Sequence, residues 1–238
     1  MKQKIIAIIC AMDIELEGYK SILTNLSTEH IVGHEFLVGD YQNNKLVITK
    51  CGIGKVNAAA ITLLMIEHYN PDLLINSGIA GGYAKHLKTL DVVIAEQVVY
   101  SDVDMTTDAF TNLRYGQLQD LPLTFKTCEK VLREIKNLKL SNNLYFGTIM
   151  TGDQFVTSYE NTDKIVSKYF NDLNVLACDM ESCAVGHVCY LTNTKFIIVR
   201  SISDLIGSSD AFDYQTFAPI AANNATLLVN YIIKELEL

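Results

Sequence analysis

Apolar residues in this chain gather into short unbroken runs separated by longer amphipathic stretches. The runs are Ile5 to Cys10, Leu46 to Thr49, Leu73 to Asn76, Val92 to Ala95, Leu144 to Met150, Val175 to Cys178 and Phe196 to Ile202. Strands without polar alternation are covered on both faces, so the pattern predicts an α/β fold with a mainly parallel central sheet flanked by helices. Phe36 to Tyr41 alternates more. With Lys45 to Lys50 across Gln42-Asn43-Asn44 it predicts a hairpin, which makes the sheet mixed. Helical spacing marks Asp13 to Leu23, Lys55 to Tyr69, Leu123 to Lys136, Ser158 to Tyr169, Glu181 to Leu191 and Tyr214 to Glu237. Thr157 with Glu160 reads as a capping box for the fourth of these. Ser101 to Pro122 fits neither period, and an irregular stretch of that length predicts a flap over a site or a subunit contact.

No linker or composition shift divides the 238 residues, so one domain spanning 1–238 is expected. The net charge of −8 comes without a basic run, which argues against a nucleic-acid partner. Cys10, Cys51, Cys128, Cys178, Cys183 and Cys189 lie mostly in apolar segments with no metal-ligand spacing, and read as reduced core residues. No stretch approaches the roughly 18 to 20 apolar residues of a membrane helix. The short apolar run after Met1 is followed at once by Asp13 and Glu15, so it reads as the first strand of a cytoplasmic protein.

Candidate chemistry sits where predicted strands end. Asp179-Met180-Glu181 joins a strand to a helix, Glu15 follows the first strand, and Asp204 closes Arg200-Ser201-Ile202-Ser203-Asp204. If these strands are parallel, Glu15, Glu181 and Asp204 share the carboxyl edge of one sheet and face one pocket. Several acids buried beside Arg200 are costly unless they pair or do chemistry. Gly52-Ile53-Gly54-Lys55 and Gly78-Ile79-Ala80-Gly81-Gly82 follow strands but match no phosphate-loop spacing; tight turns and close ligand approach remain open for both. Arg114, Arg133 and Arg200 are the only arginines, a thin supply for binding phosphate. The five histidines show no ligand or triad spacing, and Ser182 and Cys183 have no evident base. Phe155 fits either a core position or a stacking surface for a flat ligand.

Taken in order, these motifs, together with Ala11-Met12-Asp13-Ile14-Glu15, Tyr115-Gly116-Gln117-Leu118 and Gly152-Asp153-Gln154-Phe155, give the chain its family likeness. It resembles, essentially end to end, the 5′-methylthioadenosine/S-adenosylhomocysteine nucleosidases of the purine nucleoside phosphorylase superfamily. The resemblance implies a cofactor- and metal-free homodimeric hydrolase of adenine thionucleosides, acting in methionine salvage on methylthioadenosine, S-adenosylhomocysteine and 5′-deoxyadenosine. It implies that Asp204 protonates adenine N7 with Ser203 orienting it, that Glu15 activates water, and that Glu181 and the Met180 backbone hold the ribose hydroxyls beside Asp179 and Arg200. Phe155 would stack on the base and the Val156 backbone would read its edge. Met12, Ile53, Ile79, Met105 and Tyr214 would form walls, with Phe110 entering the neighbouring subunit's site.

Two departures from the family pattern accompany the likeness. Ile79 replaces a small polar residue, implying one hydrogen bond fewer to the water, and the 102–114 segment is longer than usual. Chemically, cleaving an N-glycosidic bond places positive charge on the sugar and negative charge on the base, which suits carboxylates at the ribose and a proton at N7. That chemistry expects Asp204 protonated near neutral pH and Glu15 ionised. The alternatives are a phosphorylase of the same fold, a futalosine hydrolase, and a non-catalytic nucleoside-binding protein. A phosphorylase should carry an arginine where this chain has the Asp13 to Glu17 acids.

Overall fold

β1 (Lys4–Cys10) shows why the apolar runs are unbroken. Ile6, Ile8 and Cys10 enter one hydrophobic cluster while Ala7 and Ile9 enter another on the opposite face. The computed structural model describes residues 3–110, 112–138, 143–207 and 211–235. Along them run α1 (Asp13–Lys20), β2 (Thr24–Ile31), β3 (His34–Tyr41), β4 (Asn44–Lys50), α2 (Lys55–Tyr69), β5 (Leu73–Gly82) and β6 (Val92–Tyr100). After a short 3-10 turn at Asp108–Phe110 come β7 (Phe125–Lys126), α3 (Glu129–Asn137), β8 (Leu144–Thr151), α4 (Tyr159–Tyr169), β9 (Val175–Asp179), α5 (Ser182–Leu191), β10 (Phe196–Leu205) and α6 (Ala211–Glu235).

The sheet is mixed. β5, β10, β6, β8 and β9 pair in a closed ring, with β9 returning to β5, while β1, β4, β3 and β2 extend outward from β5. β4, β1, β5 and β10, adjacent in that order, run parallel to one another, and β3 and β4 form the expected antiparallel hairpin. Ala58, Ile61 and Met65 of α2 and Cys183, Ala184 and Val185 of α5 cover one face. Val131, Leu132 and Ile135 of α3 and Ala225, Val229, Ile232 and Ile233 of α6 cover the other. All six cysteines are free thiols, and five of them are buried.

Several expected boundaries shift for local reasons. α1 stops at Lys20, because Ile22 and Leu23 turn inward to pack on the α3–α6 side. Residues 123–128 are not helical: Phe125 is drawn into the core as β7 pairs with β6, and Thr127 Oγ1 donates to Ala95 O at 2.5 Å. Ser158, not Thr157, caps α4, its Oγ accepting from Asn161 N at 3.3 Å. The end expected at Glu237 lies outside the described residues. The described residues of Ser101 to Pro122 are irregular apart from the 3-10 turn, yet the second half is tied down. Arg114 forms a two-pronged pair with Asp172, Tyr115 Oη donates to Ser101 O at 2.8 Å, and Gly116 N donates to Val103 O at 2.8 Å.

Candidate active site

Segments at the carboxyl ends of β1, β4, β5, β8, β9 and β10 line one open cleft. Its walls include Met12, Glu15, Ile53, Ile79, Phe155, Val156, Asp179, Met180, Glu181, Ser203, Asp204 and Tyr214. The three acids anticipated at strand ends therefore meet in one pocket.

Glu15 occupies the third position of α1, where a side chain can curl back to the helix start. Its Oε2 accepts from Ala11 N at 2.8 Å and Met12 N at 2.9 Å, and its Oε1 accepts from Ile79 N at 2.9 Å. A carboxylate offers about four lone-pair sites, so three N–H donors leave one for a molecule in the cleft. Burial raises the pKa of Glu15 above the ordinary 4.5, against the opposing pull of the Arg200 guanidinium and those N–H groups. Gly78 makes this packing sterically feasible. A Cβ there would lie 2.8 Å from Glu15 Cδ and 2.9 Å from an Arg200 terminal nitrogen.

Asp204 owes its direction to a bulge. The β10–β5 register jumps between Ile202 and Asp204, leaving Ser203 as the extra residue. Ser203 Oγ donates to Asp204 Oδ1 at 2.6 Å and so fixes the carboxyl's rotation. Glu181 stands at the N-cap of α5 and accepts from Gly54 N at 2.9 Å. Gly54 has φ +102°, a backbone that side-chain-bearing residues avoid. Burial, then the nearby Asp179 carboxylate, push the Glu181 pKa up to about 7.

Beneath these acids Arg200 is fully buried. Its Nε donates to Asp179 Oδ2 at 2.8 Å and its terminal nitrogen to Asn76 Oδ1 at 2.6 Å, with Glu181 Oε2 at 3.7 Å. Asp179 accepts further bonds from Thr151 Oγ1 at 2.6 Å and from the Ser182 hydroxyl. The Asp179 carboxylate thus neutralises Arg200 although the residue borders the cleft. Arg200 itself lies outside the lining and acts through its partners.

The sequence of this pocket has known counterparts. A model of the phosphorylase superfamily matches residues 5–234. A protein of Psychromonas ingrahamii named 5′-methylthioadenosine/S-adenosylhomocysteine nucleosidase is 37% identical, over 97% of this chain and 99% of its own length. The chain belongs to this nucleosidase family of the phosphorylase superfamily. Its nucleosidase relative from Bacillus subtilis is 36% identical over 97% of this chain. The S. pneumoniae nucleosidase solved with the transition-state inhibitor MT-ImmA superposes with a TM-score of 0.90 at 30% identity, covering 98% of this chain and 100% of that one. The nucleosidase of Colwellia psychrerythraea solved with adenine gives 0.90 at 32% identity, covering 99% and 96%.

In this nucleosidase chain Phe155 is 60% exposed and meets Tyr214 edge-on, ring centroids 5.4 Å apart. Tyr214 Oη in turn lies 3.8 Å from Met12 Sδ. Ile79 gives its N–H to Glu15 while its side chain packs with Ala218, Ala221 and Ala222 of α6, making an apolar wall beside Met12 and Tyr214. Met105 and Phe110 do not line the cleft within one chain; both sit in the first half of the 101–122 segment. Ala11, Ala80, Gly81, Gln154, Cys178 and Ile206 complete the walls without having been singled out. Asn76 and Thr151 were also missed, although a polar Asn76 closing the apolar run Leu73-Leu74-Ile75 was a visible signal, and Ser182, weighed only as a nucleophile, instead supports Asp179.

Proposed function

We infer that the chain hydrolyses the N-glycosidic bond of 5′-methylthioadenosine and S-adenosylhomocysteine, with 5′-deoxyadenosine as a further substrate. The observation that carries this reading is the charge of the cleft: Glu15, Glu181 and Asp204 line it, Asp179 beside them is neutralised by Arg200, and no lysine, arginine or histidine lines it among the described residues. An orthophosphate nucleophile would meet carboxylates without a cation to hold it, since Arg200 is engaged by Asp179, Asn76 and Glu181 and Arg114 by Asp172. Water suffers no such repulsion. A phosphorylase, a futalosine hydrolase and a silent binding protein are less favoured: the named relatives are methylthioadenosine/S-adenosylhomocysteine nucleosidases, and bare nucleoside recognition gives no use to a buried base such as Glu15.

In the reaction, Asp204 gives its proton to adenine N7 as the bond from C1′ to N9 lengthens, and Ser203 keeps the carboxyl aligned. Glu181 and the Met180 backbone hold the ribose hydroxyls, and the anionic cluster stabilises positive charge growing on the sugar. Glu15 takes a proton from the water that bonds to C1′, so adenine and the thioribose leave with all protons accounted for. Phe155 stacks on the base and Val156 reads its edge. Met12, Ile53, Ile79 and Tyr214 enclose the alkylthio end. Met105 and Phe110 complete the site in a homodimer, Phe110 from the opposite subunit, where exposed apolar residues such as Val56 and Leu63 of α2 offer a contact face. No helix among the described residues is long and apolar enough to cross a membrane. A cytoplasmic location suits six free thiols.

The test is product identity. In zwitterionic buffer the protein should release adenine and free thioribose from methylthioadenosine, and added orthophosphate should leave the rate unchanged. Formation of a sugar 1-phosphate, dependent on orthophosphate, would overturn the assignment. A second check concerns the packing over Glu15. Gly78→Ala should reduce kcat/KM on the order of 100-fold by displacing Glu15 and Arg200, with far-UV circular dichroism unchanged. Activity within threefold of wild type would mean that the position of Glu15 is not critical.

A further inference from the structure

Gly52-Ile53-Gly54-Lys55 matches no phosphate loop, and the structure gives its lysine another task. Lys55 Nζ lies 2.7 Å from both carboxylate oxygens of Asp102 and 3.7 Å from Asp153 Oδ2. Lys55 N donates to Asp153 Oδ1 at 2.8 Å, and Asp153 N donates to Asp102 Oδ2 at 2.9 Å. The ammonium also sits 5.5 Å above the Tyr100 ring. One ion knot thus joins three irregular segments: the turn before α2, the loop after β8 and the start of the 101–122 segment.

Two of those segments form the rim of the cleft. The first carries Ile53, 51% exposed, and the Gly54 N–H that Glu181 accepts; the second carries Gln154, Phe155 and Val156. Ile53 and Phe155, the latter 60% exposed, have little packing to hold them, so their placement depends on tethering of the backbone beneath, and Val156 alone of the second segment packs on the cluster of Met150 and Val166. The knot supplies that tether. Lys55, Asp102 and their mutual contacts lie largely shielded, with side-chain exposures of 22% and 20%, which protects the pairs from full solvent screening.

We propose that Lys55, clasped by Asp102 and Asp153, is a positioning residue that fixes the base-binding wall of Phe155 and Val156 relative to Glu181. The inference rests on the nucleosidase reading of the cleft. It separates binding from proton transfer, because Glu15 is held by Ala11, Met12 and Ile79 and Asp204 by Ser203, none of which touches the knot, while Glu181, which accepts from Gly54 N, keeps its own anchor at the start of α5. Loosening the knot therefore weakens binding of ground state and transition state alike, which raises KM and spares kcat.

The experiment uses the full chain and two readouts, calorimetric titration with adenine and steady-state hydrolysis of methylthioadenosine. Lys55→Met is expected to raise both the adenine Kd and KM about tenfold, with kcat within about threefold. Lys55→Arg, which can grip Asp102 in two-pronged fashion, should restore both. The double variant Lys55→Met/Asp102→Asn should be no worse than Lys55→Met alone, since both changes break one unit. Asp153→Asn, which keeps an oxygen for Lys55 N, gives the same direction of change if Lys55→Met fails to fold. Unchanged adenine Kd and KM in these variants, or a loss confined to kcat or to melting temperature, would overturn the proposal. Wild-type protein that binds adenine but does not hydrolyse methylthioadenosine would refute the nucleosidase reading while the adenine titrations still decide the knot. Wild-type protein that does not bind adenine would refute both.

Discussion

Asp204→Asn should lower kcat for adenine release from methylthioadenosine on the order of 10³-fold, within the range a positioned general acid contributes. Adenine departs poorly as an anion, so the reaction needs a proton at N7 as the glycosidic bond breaks. Asparagine preserves the shape of the side chain and can still accept from Ser203 Oγ, now 2.6 Å from Asp204 Oδ1, but it has no acidic proton to give. A matched substrate separates this loss from a folding defect. A 5-methylthioriboside with a p-nitrophenolate leaving group departs without protonation, so the variant should stay within about tenfold of wild type on it. Equal losses on both substrates would remove Asp204 from proton transfer and leave it a structural residue of the β10 bulge.

Sequence pattern reached furthest where one local rule sufficed. The end of Lys55 to Tyr69 was legible because Asn70 adopts a left-handed cap, φ +44°, and Pro71 cannot continue the helix. The hairpin of β3 and β4 was legible because alternation and a polar turn agree. β2 escaped notice: its side chains are exposed except for partly buried Ile31, so no apolar period marks it, and it exists because β3 offers an open edge. β7 escaped because two residues pair with β6 only once Phe125 finds the core. The extra length of β5 and β10 was also hidden, since glycines and polar residues that look like a loop in sequence continue the ladder through Gly82 and Leu205.

The site divides in the same way. Glu15, Glu181 and Asp204 were visible as acids at strand ends, and their convergence needed only parallel strands. What holds them was not visible. Asn76 comes 103 positions before Asp179 and 124 before Arg200, the latter spacing being that of its hydrogen bond to Arg200. Nothing local in either segment announces that Asp179 is spent on Arg200 instead of the cleft. Burying Arg200 would be strongly unfavourable alone; Asp179 and Glu181 supply compensating charge, and Asn76, Thr151 and Ser182 satisfy the remaining donors and acceptors. The same network leaves the cleft lined by Glu15, Glu181 and Asp204 with no cation among the described lining residues, the feature on which the proposed choice of water over phosphate rests.

Glu15→Gln should reduce kcat on the order of 10³-fold while leaving adenine binding close to wild type, because the proposed base-binding residues Phe155 and Val156 lie on another segment. Glutamine cannot reproduce the carboxylate: three backbone N–H groups converge on Glu15, and an amide nitrogen would face at least one of them donor to donor. Some loss of thermal stability is therefore expected beside the loss of base. Acidity gives an independent readout. As the proposed base Glu15 must be ionised, and burial raises its pKa above 4.5, so kcat/KM should fall as pH falls, with the acid limb displaced above the value of a solvated glutamate. Glu181, pushed up to about 7, shares the same cluster, so the limb is a property of both carboxyls together. Glu181→Gln removes one negative charge near Glu15 and should move the remaining limb to lower pH, even though overall activity drops. A limb that stays in place in Glu181→Gln would show that the two acids do not communicate, and Glu15→Gln activity within tenfold of wild type would mean that another group activates the water.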